Sequence, residues 1–198
     1  MAASGERFGG VRVAVLTVSD GVAGGRRQDR AGDSVAAALA RLGWRLEARA
    51  VVADEREAIG AWLRAKSQGE GAVDLVLTLG GTGLGPRDVT PEATAPVLER
   101  PVPGLAEALR QEGARQTLAA YLSRGVAGLC GRTLIVNVPG SVGAAEDAMR
   151  LLAQLVPHAL HVGAGGGHEP EEGTRAARPP AATAIETGSE EGRQGHGG

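Results

Sequence analysis

The sequence predicts an α/β domain in which helices cover both faces of a mostly parallel sheet, that is, a three-layer α/β/α sandwich. Continuous aliphatic runs at residues 11–20 and 73–81 are typical of strands that are buried on both faces. Segments with helical spacing lie between the predicted strands, and this alternation favours right-handed crossovers between parallel strands. Aromatic residues make up only 2% of the chain, so the core must consist of aliphatic side chains.

The first half of the chain contains three predicted strands joined by two helices. The first helix is rich in Ala and Leu and ends at Gly43, a residue type that favours helix C-caps. The second is indicated by Ile59, Trp62 and Leu63, which recur at helical spacing. The predicted order is a strand at 11–20, a helix at 29–43, a strand at 44–54, a helix at 55–69 and a strand at 73–81.

In the second half of the chain, proline and glycine mark the element boundaries. Thr90 is predicted as the N-cap of a short helix whose first position is Pro91. Two apolar runs flank Gly131; the second is predicted as a strand, and the first fits an antiparallel edge partner. Pro157 is expected to kink or restart the last helix. The predicted elements are helices at 90–100 and 102–116, the two runs within 125–141, and a helix at 143–162.

Composition divides the chain into one domain, predicted at residues 10–162, and two flanking segments. Residues 1–9 are predicted to be a flexible N-terminus, and they lack the apolar stretch of a secretory signal. Past Gly163 the only large apolar side chain is that of Ile185. Residues 163–198 are therefore predicted to form a disordered tail, because they bury too little surface to offset the entropy of ordering.

Charge and composition argue against several classes of function. A net charge of -2 gives no support for nonspecific binding to nucleic acid or to an anionic membrane. No apolar run is long enough to predict a transmembrane helix, and a single cysteine rules out an intramolecular disulfide. These features predict a soluble cytoplasmic protein.

Polar or glycine-rich residues follow four of the predicted strands. In an open parallel sheet, ligands bind beyond the carboxyl ends of the strands, so these residues are expected to meet at one edge. Glycines let backbone N–H groups approach an anion closely and form a nest for phosphate. Neither GxxxxGK[ST] nor a GxGxxG after the first strand is present, which disfavours a P-loop and a nicotinamide-dependent oxidoreductase. The residues are Thr17, Ser19 and Asp20; Asp54; Gly80, Gly81, Thr82, Gly83, Arg87 and Asp88; and Asn137, Pro139, Gly140 and Ser141.

Several of these polar residues also fit a purely structural role. Asp20 fits a cap of the loop before the first helix, and Asp88 fits a contact near Arg87 that holds its own loop shut. Asp54 fits an N-cap that precedes the first-turn acid Glu55. Convergence of the four strand ends is the observation that favours a functional site over these alternatives. Two further structural interpretations are Asn137 bonding its own turn and Glu107 forming a surface pair with Arg110.

Six segments of the chain occur in the order and spacing of a known family. They are LTVSD, VVADE, LTLGGTGLGPRDVTPEAT, VPGLAEALR, LSRGVAGLCGRTLIVNVPGS and LVPHAL. Over about residues 10–162 the chain resembles the molybdopterin adenylyltransferases, which are the MogA/MoaB-type proteins and the gephyrin G domain. The resemblance implies a three-layer α/β/α fold, assembled as a trimer or, in the MoaB branch, sometimes as a hexamer. It also implies Mg²⁺-dependent transfer of AMP from ATP to molybdopterin, before a separate protein inserts the metal.

The resemblance assigns roles position by position. It implies that Asp54 and Asp88 are catalytic, and we expect both to hold Mg²⁺, which takes one or two carboxylates together with substrate oxygens. The arginine-rich segment AGGRRQDR at residues 23–30 departs from the family pattern. Substrate or nucleotide binding is implied for Thr17, Ser19, Asp20, Gly80, Gly81, Thr82, Gly83, Thr90, Glu107, Ser123, Arg124, Asn137, Pro139, Gly140 and Ser141.

Two functions of different class remain open beside the enzyme. The first is a non-catalytic MoaB-type protein that binds or carries molybdopterin, which the retention of both Asp54 and Asp88 argues against. The second is the nicotinamide-dependent oxidoreductase that the missing dinucleotide fingerprint disfavours.

Overall fold

A computed structural model describes residues 10–166. The predictions for residues 1–9 and for the tail beyond residue 166 lie outside the described residues, whereas Gly163 is the last residue of a helix. The strands are β1 Arg12–Val18, β2 Arg45–Val52, β3 Leu75–Leu79, β4 Arg100–Pro101, β5 Ala127–Cys130 and β6 Thr133–Val138. The α-helices are α1 Asp20–Ala23, α2 Arg30–Arg41, α3 Arg56–Ser67, α4 Thr90–Thr94, α5 Pro103–Ala114 and α6 Val142–Gly163.

Within residues 10–166 the six strands form one sheet with the order β2-β1-β3-β6-β5-β4. The first four of these are parallel, and the register places Val15 of β1 beside Leu77 of β3, which in turn lies beside Val136 of β6. The strand β5 pairs antiparallel with β6, and β4 pairs antiparallel with β5. The mostly parallel sheet and the antiparallel partner of β6 are therefore confirmed.

Two helical layers cover the sheet, because successive residues of each central strand point to opposite faces. On one face, Val13 and Val15 pack with the apolar sides of α2, α5 and α6. On the other face, Leu16 and Ile135 pack with α3 and α4. Full burial of one such side chain contributes about 1.5–3 kcal/mol. The three-layer sandwich predicted from the alternation of strands and helices is confirmed.

The helix predicted at 90–100 is wrong in its second half. The α-helix ends at Thr94, and Pro96 lies in a 3-10 turn at Ala95–Val97 that leads into the two-residue edge strand β4. Proline lacks the N–H that a continuing helix needs, so the chain leaves the helix there. Thr90 is not the N-cap either, since Val89 occupies that position without a side-chain cap.

The restart predicted at Pro157 is also wrong, because α6 runs as one helix from Val142 to Gly163. Leu152 and Val156 are fully buried on its inner face, and this packing holds the helix together across the missing hydrogen bond. None of the helices within residues 10–166 combines the length and the apolar character that crossing a membrane requires.

Candidate active site

The ends of β1, β2, β3 and β6 surround a cavity of about 890 Å³. This volume suits a small-molecule ligand, since such sites measure roughly 300–1,000 Å³. The structure brings many of the predicted site residues to the wall of this cavity. They are Thr17, Ser19, Asp54, Gly80, Gly81, Thr82, Gly83, Asp88, Pro139, Gly140 and Ser141.

One wall of the cavity is the glycine loop, residues 80–88, which leaves the end of β3. Gly80 and Gly81 have φ of 103° and 62°, a region that side-chain-bearing residues rarely adopt. A Cβ on Gly80 would lie 2.5 Å from the Val18 carbonyl oxygen, and one on Gly81 would lie 3.0 Å from Asp54 Oδ1. The bare backbone at these two positions is what allows the loop to pass directly beside β1 and Asp54.

Three consecutive amides of the glycine loop are available to a ligand. The N–H groups of Gly81, Thr82 and Gly83 donate no hydrogen bond to any residue within 10–166. The neighbouring N–H of Gly80, in contrast, donates to the Val138 carbonyl at 2.9 Å. Successive free amides of this kind form a concave site for an anion, because each contributes a partial positive charge.

Asp54 is held at the cavity by a reciprocal pair of hydrogen bonds with Asp20. The N–H of Asp20 donates to Asp54 Oδ2 at 2.8 Å, and the N–H of Asp54 donates to Asp20 Oδ1 at 3.1 Å. The alternative role as an N-cap is wrong, since Glu55 occupies that position of α3. Burial, together with the negative charges of Asp20 and Asp88, raises the pKa of Asp54, and this outweighs the hydrogen bond from Asp20.

Asp20 itself faces away from the cavity, toward Arg87 of the glycine loop. The Nε and Nη2 atoms of Arg87 donate to the two carboxylate oxygens of Asp20 at 3.0 and 2.9 Å. Nη2 also donates to Glu55 at 3.2 Å. The Arg87 guanidinium and the N–H of Asp54 lower the pKa of Asp20. Arg87 therefore fastens the glycine loop to the ends of β1 and β2, and Asp20 contributes to the site by positioning Asp54.

Asp88 lies at the far end of the glycine loop, where its Oδ2 accepts a hydrogen bond from the N–H of Gly85 at 2.8 Å. A Cβ on Gly83 would lie 2.9 Å from the same oxygen, so the carboxylate rests against the loop backbone. Asp54 and Asp88 therefore flank the segment that carries the three free amides.

Arg124 holds the glycine loop from behind and does not line the cavity. Its backbone N–H donates to the Thr82 carbonyl at 2.9 Å, and its Nε donates to the Gly83 carbonyl at 2.7 Å. The remaining guanidinium nitrogens contact the Asp88 carbonyl and the Glu92 carboxylate. The binding role expected for Arg124 stays a prediction; in this structure its guanidinium donates only to groups of the protein itself.

A buried polar network supports the loop from below. The side-chain amide of Asn137 donates to the hydroxyls of Thr78 and Thr94 at 2.9 and 3.0 Å. The Thr94 hydroxyl donates to the Thr90 carbonyl, and the Thr90 hydroxyl donates to the Gly80 carbonyl at 2.9 Å. Asn137 and Thr90 were expected to bind substrate, but both lie in this network rather than at the cavity. The alternative in which Asn137 bonds its own turn is also wrong.

The last two expected binding residues also lie outside this cavity. Ser123 lines an adjoining cavity of about 570 Å³, which shares Thr82, Gly83, Pro139 and Ser141 with the first. Glu107 is exposed on α5 and lines neither space. It does not form the alternative pair with Arg110, whose Nη1 donates to the carbonyls of Ser123 and Gly125.

A second wall of the cavity is the arginine loop, residues 23–30, which none of the site assignments included. Arg27, Gln28, Asp29 and Arg30 line the cavity. Asp29 caps α2 by accepting from the Gly32 N–H at 3.0 Å, a role that an Asp before a helical run predicts.

Asp29 is the best-anchored carboxylate of the cavity. Its Oδ2 accepts from Thr17 Oγ1 at 2.9 Å and from Arg49 Nη2 at 2.6 Å. Burial acts to raise the pKa of Asp29, but Arg49, the Gly32 N–H and Thr17 outweigh it and the pKa is lowered. The charge of Asp29 is therefore compensated within the protein, whereas that of Asp54 is not.

The carboxylates of the site fit a divalent cation only in part. Among residues 10–166 no group of three His, Cys, Asp or Glu side chains is placed to hold a metal ion. Asp54 and Asp88 supply two carboxylates at the cavity, and a cation bound by both would reduce the repulsion between them, which adds to burial in raising the pKa of Asp54. Such a pair fits Mg²⁺ that keeps several waters and binds together with substrate phosphates.

Comparison with known proteins identifies the family. Residues 14–158 match the family model described as a probable molybdopterin binding domain. The molybdopterin adenylyltransferase of Helicobacter pylori strain J99 is 33% identical over 155 residues, which cover 76% of this chain and 86% of the relative. The crystal structure of the molybdopterin biosynthesis enzyme MoaB from Thermus thermophilus is 46% identical with a TM-score of 0.73, covering 80% of this chain and 99% of that one.

Some relatives are longer proteins. The molybdenum cofactor biosynthesis bifunctional protein of Chlorobaculum tepidum is 39% identical over 157 residues, which cover 79% of this chain but 50% of the relative. The chain thus spans about half the length of the curated relatives of this type. Its strand-end cavity, glycine loop and sequence agree with one assignment: the chain belongs to the probable molybdopterin binding domain family of molybdenum cofactor biosynthesis proteins.

Proposed function

We propose that this chain adenylylates molybdopterin, transferring AMP from ATP to the terminal phosphate of the pterin and releasing pyrophosphate. The observation that carries the proposal is the position of Asp54 and Asp88 on either side of the free amides of Gly81, Thr82 and Gly83. Carboxylates beside an anion nest suit a reaction between phosphates better than a carrier, which needs no uncompensated acid. Relatives named molybdopterin adenylyltransferase support the same reaction.

Adenylyl transfer depends on positioning and charge neutralisation more than on covalent catalysis. The attacking phosphate is already ionised near neutral pH, so the chain needs no general base. We assign the amides of the glycine loop to the phosphate that is attacked, since a preorganised donor of this type supplies about 3 kcal/mol in a transition state. The two cavities that share the glycine loop offer adjoining spaces for two substrates.

Asp54 and Asp88 would hold the Mg²⁺, which when bound would neutralise charge on the phosphate oxygens. Asp54 is kept in place by the N–H of Asp20, and Asp88 by the N–H of Gly85. Both carboxylates are thus oriented before the substrate binds, which lowers the entropic cost of reaching the transition state.

Release of pyrophosphate from ATP and molybdopterin in the presence of Mg²⁺ tests the proposal. We expect turnover by the purified chain and a loss of at least about 100-fold in Asp54→Asn and in Asp88→Asn, with molybdopterin binding retained. Asp74→Asn is the matched control, because Asp74 pairs with Arg12 at the opposite edge of the sheet. Molybdopterin binding without pyrophosphate release by the unaltered chain would instead indicate the non-catalytic carrier. Normal turnover by either site variant would refute that residue's assignment.

Three expectations from the resemblance stay predictions. They are assembly into a trimer or hexamer, contact with a metal-insertion protein, and a cytoplasmic location. Self-association is supported by Leu118, Tyr121 and Leu122, which are 77%, 57% and 57% exposed on one 3-10 turn. Apolar side chains exposed together in this way are typical of protein contact surfaces.

A further inference from the structure

The arginine loop differs from the rest of the cavity wall in the state of its charged side chains. Arg27 and Arg30 line the cavity, and neither guanidinium forms an ion pair or hydrogen bond with any residue within 10–166. Other arginines near the cavity, in contrast, are bonded. Arg49 pairs with Asp29 and Asp33, and Arg87 pairs with Asp20 and Glu55.

The position of Arg30 is unfavourable unless an anion is nearby. It is the first residue of the twelve-residue helix α2, where the helix dipole is positive and a cation is disfavoured. The nearby carboxylates of Asp29 and Asp33 both pair with Arg49, and neither bonds to the Arg30 guanidinium. A phosphate at this position would interact favourably with both the guanidinium and the helix N-terminus.

We propose that Arg27 and Arg30 bind the β- and γ-phosphates of the nucleotide, an assignment that rests on the proposed adenylylation. A phosphate oxygen of the pterin attacks the α-phosphorus, and the bond from that phosphorus to the oxygen bridging the α- and β-phosphates breaks. The bridging oxygen keeps the electron pair and leaves as part of pyrophosphate. Guanidinium groups suit this leaving group, since they stay charged at all relevant pH values and bind phosphate through two N–H groups at once.

The assignment divides the cavity between two groups of opposite charge. The carboxylates of Asp54 and Asp88 lie at the glycine loop, and the two unpaired guanidiniums lie on the arginine loop. A polyphosphate offers separate phosphate groups to the two loops of this one cavity, whereas orthophosphate has only one group to offer. The arginine loop should therefore discriminate between a polyphosphate and a single phosphate.

Binding of inorganic tripolyphosphate to the full chain, measured by isothermal titration calorimetry, tests this assignment without any turnover. We expect Arg27→Gln and Arg30→Gln each to weaken binding about tenfold, and the double variant more, because each removes a charge-assisted contact. The matched control is Arg26→Gln. Arg26 lies in the same loop and carries the same charge, but its Nη2 donates to the Asp20 carbonyl and it does not line the cavity.

Three outcomes distinguish the possibilities. Unchanged tripolyphosphate binding in the double variant, or an equal loss in Arg26→Gln, overturns the assignment. An equal loss for inorganic orthophosphate also overturns it, because the arginines would then serve a single phosphate such as that of the pterin. If the arginine variants lose tripolyphosphate but the unaltered chain forms no pyrophosphate from ATP and molybdopterin, the binding site stands and the proposed adenylylation fails.

Discussion

The two loops that line the cavity use arginine in opposite ways. On the glycine loop, Arg87 is bonded to Asp20 and Glu55, and the loop itself is held by Arg124. On the arginine loop, the guanidinium groups of Arg27 and Arg30 bond to no described residue. Bonded arginines fix the backbone that carries the free amides, whereas unbonded ones keep their charge for a ligand. The comparison predicts that changes on the glycine loop alter the geometry of the site, and changes on the arginine loop alter its affinity for phosphate.

The largest effect in this comparison of the two loops is expected from Arg124→Gln. The change removes contacts with the carbonyls of Gly83 and Asp88 and with the Glu92 carboxylate. We expect a loss of about 2–3 kcal/mol in the free energy of unfolding. A single hydrogen bond to a charged group contributes about 1.5–3 kcal/mol, and the partial exposure of the Arg124 side chain keeps the total well below the sum of three. Pyrophosphate release should fall by roughly 10- to 100-fold in kcat, while the Kd for tripolyphosphate stays within about twofold. Urea denaturation, steady-state kinetics and calorimetry measure the three quantities.

Arg110→Gln is the control for a purely structural effect of losing Arg124. The Nη1 of Arg110 donates to the carbonyls of Ser123 and Gly125, on either side of Arg124, and touches no part of the glycine loop. It should lower the free energy of unfolding and leave kcat unchanged. A loss of tripolyphosphate binding in Arg124→Gln as large as that in the double variant of Arg27 and Arg30 would contradict the division of roles between the glycine loop and the arginine loop.

An intermediate effect is expected from two aspartates whose contributions to stability change with pH in opposite directions. The pKa of Asp54 is raised by burial and by Asp20 and Asp88, so its contribution to stability is present at low pH and is lost as pH rises through the folded-state value. The pKa of Asp29 is lowered, burial being outweighed by Arg49, the Gly32 N–H and Thr17. The stability from Asp29 is therefore present above its ordinary pKa of about 3.9 and is lost as pH falls.

Thermal unfolding of Asp54→Asn and Asp29→Asn between pH 3 and pH 8 measures this contrast. At neutral pH we expect Asp54→Asn to unfold at a higher temperature than the unaltered chain, and Asp29→Asn at a lower one. Both differences should shrink as the pH falls, because each aspartate is then protonated in the folded and unfolded states alike. Asparagine keeps an oxygen that can accept the Asp20 N–H or cap α2, so the comparison isolates the charge. A shift of the unfolding temperature in the same direction for both variants at neutral pH would contradict this prediction.

The sequence predicts the framework of the site better than the direction of its side chains. Strand ends are predictable because aliphatic runs stop at polar residues or glycine, as at Ser19 and Gly80, and parallel strands bring such ends to one edge. Whether a polar side chain then faces the cavity or the protein depends on partners that are distant in sequence. Asn137 meets Thr78 and Thr94, and no local pattern indicates these contacts.

The missed elements are those that are too short for a periodic pattern. The helix α1 has four residues and β4 has two, so neither spans a repeat that could be recognised. The arginine loop stands out in the sequence by its composition, but its position at the cavity follows from α1 and from the capping of α2 by Asp29. The position of the arginine loop at the cavity therefore depends on short elements that a sequence pattern does not predict.

The smallest expected effect, and the finest test of the comparison, is Arg87→Gln set against Arg12→Gln. Each arginine binds one aspartate through Nε and Nη2 on the protein surface, Arg87 with Asp20 and Arg12 with Asp74. Exposed pairs of this kind contribute little to the free energy of unfolding, so both variants should lose a similar, small stability at low salt. In 1 M NaCl the Debye length is about 3 Å, and both losses should largely disappear.

Of the two variants, only Arg87→Gln should alter the Mg²⁺ dependence of pyrophosphate release. Arg87 ties the glycine loop to Asp20, and the N–H of Asp20 holds the carboxylate of Asp54 at 2.8 Å. Releasing this tie should raise the Mg²⁺ concentration for half-maximal pyrophosphate release by roughly twofold to fivefold. High salt should move the unaltered chain toward the Arg87→Gln value and leave Arg12→Gln no different from it. Equal Mg²⁺ requirements for both variants at low salt would mean that the glycine loop keeps its geometry without Arg87, and that Arg124 alone fixes this wall.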